Sequence, residues 1–143
     1  MIRDDFRFVE RLRVRWAEID AQNIVFNGHY LMYFDTAIAG YWRALALPYH
    51  ESMRALQGDL YVRKATLEYL GSARYDDSID VGVRCERVGD SSIRFECGVF
   101  RQALSRWVML FSRTRVIGKK YSSCTVVITR AVYILFALRQ GFR

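Results

Sequence analysis

Apolar and polar residues alternate along the first segment of the chain, Phe6–Trp16. Phe8 and Leu12 fall on one face of this pattern, and a row of arginines falls on the other, at positions Arg7, Arg11, Arg13 and Arg15. Successive side chains of a β-strand point to opposite faces of a sheet. The alternation therefore predicts a half-buried strand over this segment.

A helical period replaces the alternation after residue 27. Asn27 is suited to the N-cap position, since its side chain can accept a hydrogen bond from the first turn. Pro48 marks the expected end of the helix. Apolar residues recur at spacings of three and four between these limits, at Leu31, Phe34, Ile38, Tyr41 and Leu45, with Trp42 beside them. A helix that is apolar on most sides is expected at the centre of the fold.

The rest of the recognisable pattern consists of strands. The segments predicted as strands are Leu60–Leu70, Ser78–Val88, Ser92–Arg101 and Trp107–Ile117. No helices alternate with the later strands, so a doubly wound parallel sheet is not expected. The pattern favours an α+β fold, with an antiparallel sheet of about five strands wrapped around one long central helix. A chain of 143 residues has the length of a single domain, 1–143.

Composition narrows the class of protein. Hydrophobic residues make up 52% of the chain, which excludes an intrinsically disordered protein. No apolar run approaches the roughly 20 residues of a membrane-spanning helix, and no secretory leader is visible. The three cysteines are an odd number without zinc-ligand spacing. We therefore expect a soluble cytoplasmic protein with reduced thiols, without a metal and without a bound cofactor.

The charge of the chain is unevenly distributed. The net charge is +7, but residues 103–143 contain eight basic residues and no acidic ones. Three explanations stay open for this tail: a basic patch for phosphates or a membrane surface, an unusual last strand with an oligomer contact, or an out-of-frame C-terminus. We favour a strand through about Ile117, followed by an atypical remainder.

The segment between the first strand and the helix carries the most specific pattern. It contains Asp20, then Ile24–Phe26, then Asn27 and Tyr30 at the expected helix start. This arrangement resembles the hotdog-fold acyl-CoA thioesterases of the 4-hydroxybenzoyl-CoA thioesterase and YbgC type. Leu67–Asp77 is similar to the second strand of that family and the turn after it, so that the resemblance covers about residues 8–102. Asn23 stands where the family often has glycine.

The resemblance implies roles for the residues around the helix start. Asp20 is implied as the nucleophile or the general base, and the backbone N–H of Asn27 as the donor to the thioester carbonyl, with Gly28 helping. The chemistry is sound, because a helix N-terminus presents unpaired N–H groups and about half a positive charge to a developing oxyanion. His29 and Tyr30 lie beside this point as substrate-binding candidates, although a structural role is open for both. Glu18 is expected on the surface, with a second catalytic carboxylate as the alternative.

The implied substrate is an acyl-CoA, whose phosphates require basic or polar partners. Arg63, Lys64 and Ser91 are candidates for these contacts, as are Arg74 and Ser92. The family places its sites at a dimer interface, so a homodimer or homotetramer is implied. Nucleic acid and membrane insertion are not expected.

Other functions stay open at this point. A hotdog dehydratase or hydratase would use a histidine with an acidic partner, and His29 keeps that possibility. A non-catalytic module that binds acyl thioesters is another alternative. Nucleic-acid binding is motivated only by the basic tail. The identity of the acyl group cannot be inferred from the sequence.

Overall fold

The computed structural model describes residues 2–55, 58–89 and 92–101, together with the backbone of Arg106–Gly118. Short 3₁₀ turns lie at Arg3–Asp5 and Trp16–Glu18. The helices and strands follow in the order β1 Phe8–Arg13, α1 His29–Ala44, α2 Tyr49–Ala55, β2 Leu60–Lys64, β3 Ser78–Val88, β4 Ser92–Arg101 and β5 Arg106–Gly118.

The described strands form one sheet in the order β1-β3-β4-β5-β2, and every neighbouring pair is antiparallel. The sheet and the long helix confirm the predicted α+β architecture with five strands. The strand predicted at Trp107–Ile117 is present as β5. The part of the tail beyond residue 118 lies outside the described residues, and the explanations offered for it remain predictions.

Helix α1 packs on one face of the sheet and forms the core with it. Ile79, Val81 and Val83 point from β3 toward α1, alternating with residues that point away. The helix approaches β1 closely at Gly40, where a Cβ would overlap the Glu10 carboxylate and touch the Phe8 ring. Glycine at this position therefore sets the spacing between helix and sheet.

The opposite face of the sheet, called here the outer face, is covered by the N-terminal segment. Phe6 lies over a cross-strand pair of glycines, Gly82 and Gly98, and is 3% exposed. A Cβ at Gly82 would collide with the Phe6 ring. Phe100 packs edge-on against the same ring at 5.6 Å. Glycines on adjacent strands thus make the recess that the aromatic side chain fills.

Several boundaries differ from the sequence predictions. Strand β2 ends at Lys64 rather than Leu70, because residues 65–70 leave the sheet and run toward the start of α1, where the Tyr69 hydroxyl donates to the Asn27 carbonyl at 3.2 Å. Helix α2 follows Pro48 directly and was not predicted. Leu31 was expected in the buried stripe of α1 but is 44% exposed.

Neither of the two described helices is long and apolar enough to cross a membrane, and the longer one, α1, has 16 residues.

Candidate active site

Residues 18–26, called here the Asp20 loop, fold back on themselves in front of α1. The Phe26 N–H donates to the Glu18 carbonyl at 2.9 Å, and the Asp20 N–H donates to the Ile24 carbonyl at 2.8 Å. Asn23 closes the turn at a φ of 59°, a left-handed conformation that asparagine tolerates better than most residues. Asn23 therefore adopts a left-handed backbone at the position where the family that the sequence resembles often has glycine.

The Asp20 carboxylate is half-buried at the end of this fold-back. Its Oδ1 atom accepts the Gln22 N–H at 2.8 Å, an interaction that fixes the side-chain rotamer. Its Oδ2 atom has no hydrogen-bond partner in the part of the chain that the structure describes. One carboxylate oxygen therefore orients the group, and the other is available to a substrate or a water molecule.

Helix α1 begins at His29, with Gly28 rather than Asn27 at the N-cap. The expected side-chain cap from Asn27 is wrong by one residue, since Asn27 is exposed and lies before the cap. Within the described ranges, the backbone N–H groups of Asn27 and Gly28 have no acceptor. The Tyr69 hydroxyl holds the Asn27 carbonyl and with it the orientation of the Gly28 N–H. Two donors are thus left at the helix start for an oxyanion.

Glu18 is the first residue of this loop and is 4% exposed, so that the expected surface position is wrong. Its Oε2 atom accepts the Tyr33 hydroxyl at 2.7 Å, and its Oε1 atom contacts the Arg15 guanidinium at 2.6–2.7 Å. Burial would raise the pKa of Glu18, but hydrogen bonds from Arg15 and Tyr33 and the charge of Arg15 hold it below its usual value. The same burial, with the hydrogen bond to Glu18, raises the pKa of Tyr33. Glu18 is therefore ionised at neutral pH, and Tyr33 is protonated.

Tyr30 and His29 occupy the first turn of α1 in different ways. Tyr30 is 2% exposed, and its hydroxyl accepts the Ala73 N–H at 3.1 Å. Burial raises its pKa. His29 is half-buried, with its ring 5.9 Å from that of Phe26 and its Nδ1 atom 3.4 Å from the Met32 sulfur. Tyr30 has a structural contact, and substrate contacts by either residue remain predictions.

Of the residues proposed for the phosphates of coenzyme A, Arg74 directly follows Ala73, which is hydrogen-bonded to Val25 of the Asp20 loop and to Tyr30, whereas Arg63 and Lys64 are far from that loop in the sheet order. Arg63 and Lys64 are exposed on β2, the edge strand opposite β1, and β1 leads into the Asp20 loop. Ser91 lies outside the described residues. Gly28, His29 and Tyr30 thus form the start of α1 with Asn27 directly before them, and Asp20 lies on the loop that leads into this helix. Their joint role as a site and the phosphate contacts stay predictions.

A cavity of about 280 Å³ opens along the exposed side of α1. Asp35 lies at its end nearer the helix start, seven residues and about 10 Å along the helix from Gly28. Exposed Leu31 and Met32 occupy the same side of α1 between these two positions. The cavity is mostly apolar and can take an aliphatic or aromatic group; its lining is Asp35, Ile38, Ala39, Trp42, Tyr49, His50, Leu60, Val62 and Phe95.

The described side chains contain no group of three or more His, Cys, Asp or Glu residues arranged to hold an ion. Burial raises the pKa of the Cys85 thiol to about 12, and Cys97 is fully buried in the core. Neither thiol has the lowered pKa of a nucleophilic or metal-binding cysteine.

Comparisons with known proteins concern the family and the fold of this chain. The family model described as Thioesterase superfamily matches residues 22–106, which begin two residues after Asp20. A relative from Aquifex aeolicus named "Putative esterase" is 31% identical over 98 residues, which are 68% of this chain and 76% of the relative. The acyl-CoA thioesterase YbgC of Haemophilus influenzae is 27% identical over 93 residues, which are 65% of this chain and 68% of that protein.

Solved structures give the same fold. The crystal structure of a DHNA-CoA thioesterase from Staphylococcus aureus superposes with a TM-score of 0.79, over 94% of this chain and 91% of that one, at 17% identity. At this identity the likeness concerns the fold alone. The family model, however, spans more than half of the chain. The protein therefore belongs to the Thioesterase superfamily, has the hotdog fold that the sequence predicted, and is a thioester hydrolase.

Proposed function

We propose that the protein hydrolyses acyl-CoA thioesters to a free acid and CoA, with Asp20 as the reacting carboxylate. The observation that carries this proposal is the juxtaposition made by the Asp20 loop. Backbone hydrogen bonds at Glu18–Phe26 and Asp20–Ile24 fold the loop that carries the Asp20 carboxylate back onto Phe26, the residue before the helix start, where two N–H groups have no acceptor within the described ranges. The family membership and the YbgC relative support the substrate class.

The two groups have complementary tasks in thioester hydrolysis. The N–H groups of Asn27 and Gly28 would bind the carbonyl oxygen and stabilise its negative charge as the tetrahedral species forms, each donor being worth about 3 kcal/mol in comparable enzymes. Asp20 would either attack the carbonyl carbon or take a proton from the attacking water. The C–S bond then breaks, and the CoA sulfur leaves as a thiolate that is protonated to the thiol. If Asp20 is the nucleophile, the product of this step is an acyl–Asp20 anhydride, which water hydrolyses to the free acid and the regenerated carboxylate.

The cavity along α1 limits which acyl groups can use it. An acyl group whose carbonyl lies at the Gly28 N–H must extend about 10 Å along Leu31 and Met32 before it reaches Asp35. An acetyl group is too short for this path. The apolar lining of the cavity supports an elongated apolar acyl group over a short or strongly polar one.

The experiment that tests the function is a hydrolysis assay over a panel from acetyl-CoA to hexadecanoyl-CoA, with release of free thiol as the readout. We expect dodecanoyl-CoA to be preferred over acetyl-CoA and Asp20→Asn to lower kcat by about 100-fold or more, because the amide is neither a base nor a nucleophile. Asp4→Asn, an exposed carboxylate at the N-terminus, is the matched control and should keep wild-type turnover. Equal kcat values for the wild type and Asp20→Asn would refute the role of Asp20. Binding of acyl-CoA without hydrolysis by the wild type would indicate the non-catalytic alternative.

We further propose that the protein works as a homodimer or homotetramer. Large apolar side chains surround the candidate site in the single chain and are about half exposed: Phe26, Leu31, Met32, Tyr69 and Leu70. Exposed apolar patches of this kind mark interaction surfaces. Light scattering at micromolar concentration should give at least twice the monomer mass of 16.8 kDa. A monomer mass over the whole concentration range would contradict the proposed assembly.

A further inference from the structure

We propose that Glu18 is a positioning residue of this site. Its buried carboxylate holds the Asp20 loop against the first turns of α1, and Asp20 thereby keeps its place relative to the N–H groups of Asn27 and Gly28. The inference rests on the proposed function, because it concerns the geometry of that same site.

The Glu18 side chain joins two elements that carry the two halves of the site. Its Oε2 atom accepts the hydroxyl of Tyr33, which lies four residues into α1, at 2.7 Å. The same oxygen accepts the backbone N–H of Arg15 at 2.8 Å, and Arg15 lies at the end of the segment that enters the loop. The side chain of Glu18 therefore links the chain before the loop directly to the helix that follows it.

The backbone of Glu18 makes the second connection. Its carbonyl accepts the Phe26 N–H at 2.9 Å, and Phe26 immediately precedes the unpaired donors at Asn27 and Gly28. Asp20 lies two residues beyond Glu18 on the same short ladder. A displacement of Glu18 would thus change the position of the Asp20 carboxylate relative to the N–H groups of Asn27 and Gly28. Misplacement of reacting groups by about 1 Å can reduce rates by about 100-fold.

The charge state of Glu18 makes this arrangement specific. An ionised carboxylate only accepts hydrogen bonds, and each of its described partners donates one. The pKa of Glu18 is held below its usual value, so the carboxylate stays ionised in the pH range of a hydrolysis assay. A glutamine of the same size would have an NH₂ group in place of one carboxylate oxygen. This donor would face either the Tyr33 hydroxyl and the Arg15 backbone N–H, or the Arg15 guanidinium, all of which are donors themselves.

The chain offers a matched control for this substitution. Glu96 on β4 is also 4% exposed and is held by an arginine, Arg84, at 2.6–2.7 Å. It lies on the outer face of the sheet beside Phe6, away from α1. Glu96→Gln therefore repeats the chemical change, the burial and the loss of an arginine pair without touching the Asp20 loop. Tyr33→Phe is a milder test that removes only the hydrogen bond from α1.

The experiment compares Glu18→Gln, Tyr33→Phe and Glu96→Gln by steady-state kinetics on the best acyl-CoA substrate, at a temperature at which all are folded. Amide hydrogen exchange of Phe26 is measured by NMR relative to that of Val83 in β3. We expect Glu18→Gln to lower kcat at least tenfold with KM within twofold, and to accelerate the relative exchange of Phe26 at least tenfold. Tyr33→Phe should show a smaller decrease in kcat, and Glu96→Gln should leave both readouts unchanged.

Opposite results overturn the proposal. One such result is a kcat within twofold of wild type for folded Glu18→Gln, and another is an unchanged relative exchange of Phe26 in that variant. A third is a loss of kcat in Glu96→Gln equal to the loss in Glu18→Gln. If Glu18→Gln does not fold, Tyr33→Phe decides, and wild-type kcat together with wild-type exchange at Phe26 overturns the proposal. The exchange measurement needs no substrate. A wild type that hydrolyses no thioester would therefore count against the proposed function, and the Phe26 amide would still decide the role of Glu18.

Discussion

Glu18 and Glu96 are buried to the same extent and are each paired with an arginine, yet they belong to regions of different kinds. The region around Glu18 connects a loop to a helix and lies next to backbone donors that have no described partner. The region around Glu96 lies on the outer face, where Arg84 stacks 5.7 Å from the Phe6 ring and closes over a glycine recess.

This comparison shows that a buried ion pair does not by itself mark an active site. Buried pairs often contribute little net stability, because the desolvation of two charges offsets their attraction. The region around Glu18 differs because polar groups beside it have no hydrogen-bond partner among the described residues. These groups are the Oδ2 atom of Asp20 and the backbone N–H groups of Asn27 and Gly28. The outer face has packed aromatic rings in the corresponding place. Changes in the two regions should therefore separate activity from stability.

The largest expected effect on stability comes from the outer face. Phe6→Ala should lower the free energy of unfolding by about 3–5 kcal/mol, because it leaves a cavity over Gly82 and Gly98. The kcat of the folded variant should equal that of wild type, since Phe6 contacts no part of the Asp20 loop. Urea unfolding and the thiol-release assay measure the two quantities. A kcat that falls in parallel with stability would break the distinction between the regions.

The partner of this contact provides its control. Gly82→Ala places a methyl group against the Phe6 ring and should cost about 1–3 kcal/mol through overpacking. In the Phe6→Ala background the same methyl group enters empty space. The two substitutions should thus be less destabilising together than the sum of the single effects, and simple additivity would show that they do not share one contact.

The smallest expected effect is a dependence on pH in the region around Glu18. Its pKa in the folded protein is below the ordinary value of 4.5, so its ionised form stabilises the fold above that pH and the contribution is lost as the pH falls through the folded pKa. The difference in Tm between wild type and Glu18→Gln should be largest above pH 4.5 and should narrow on acidification. A difference that stays constant from pH 6 to pH 3 would contradict this linkage.

The sequence was a good guide to the strands and a poorer one to the faces of α1. Period-two alternation in β3 and β4 predicted both strands at their observed limits. Leu31 fits the same apolar stripe as Phe34, yet it lies on the exposed side, because apolar residues surround most of α1 and its period does not single out a buried face. The end of β2 was also not predicted, since the apolar residues after Lys64 leave the sheet and run toward the start of α1, where the Tyr69 hydroxyl donates to the Asn27 carbonyl.

The position of the candidate site along the chain could be predicted, but the contacts that support it could not, and its chemistry stays a prediction. The motif from Asp20 to Tyr30 placed the carboxylate before the helix start, and the backbone geometry agrees with that placement. Glu18 was assigned to the surface because glutamate is mostly exposed in proteins. Its burial depends on Tyr33, fifteen residues away, and on Arg15 folding over it. The available signal was an arginine three residues before a glutamate, but that spacing is common on protein surfaces.

The order of the strands has a consequence for the growing chain on the ribosome. β2 is synthesised second but pairs only with β5 among the described strands, and 50 residues separate Lys64 from its partner Arg115. At about 5–20 residues per second, β2 waits roughly 3–10 s for its neighbour. During that interval β1, β3 and β4 can already assemble on α1, while β2 exposes Tyr61 and Val62 without a sheet to join. A chaperone that protects nascent chains would therefore have its most valuable target in the interval before residues 106–118 emerge.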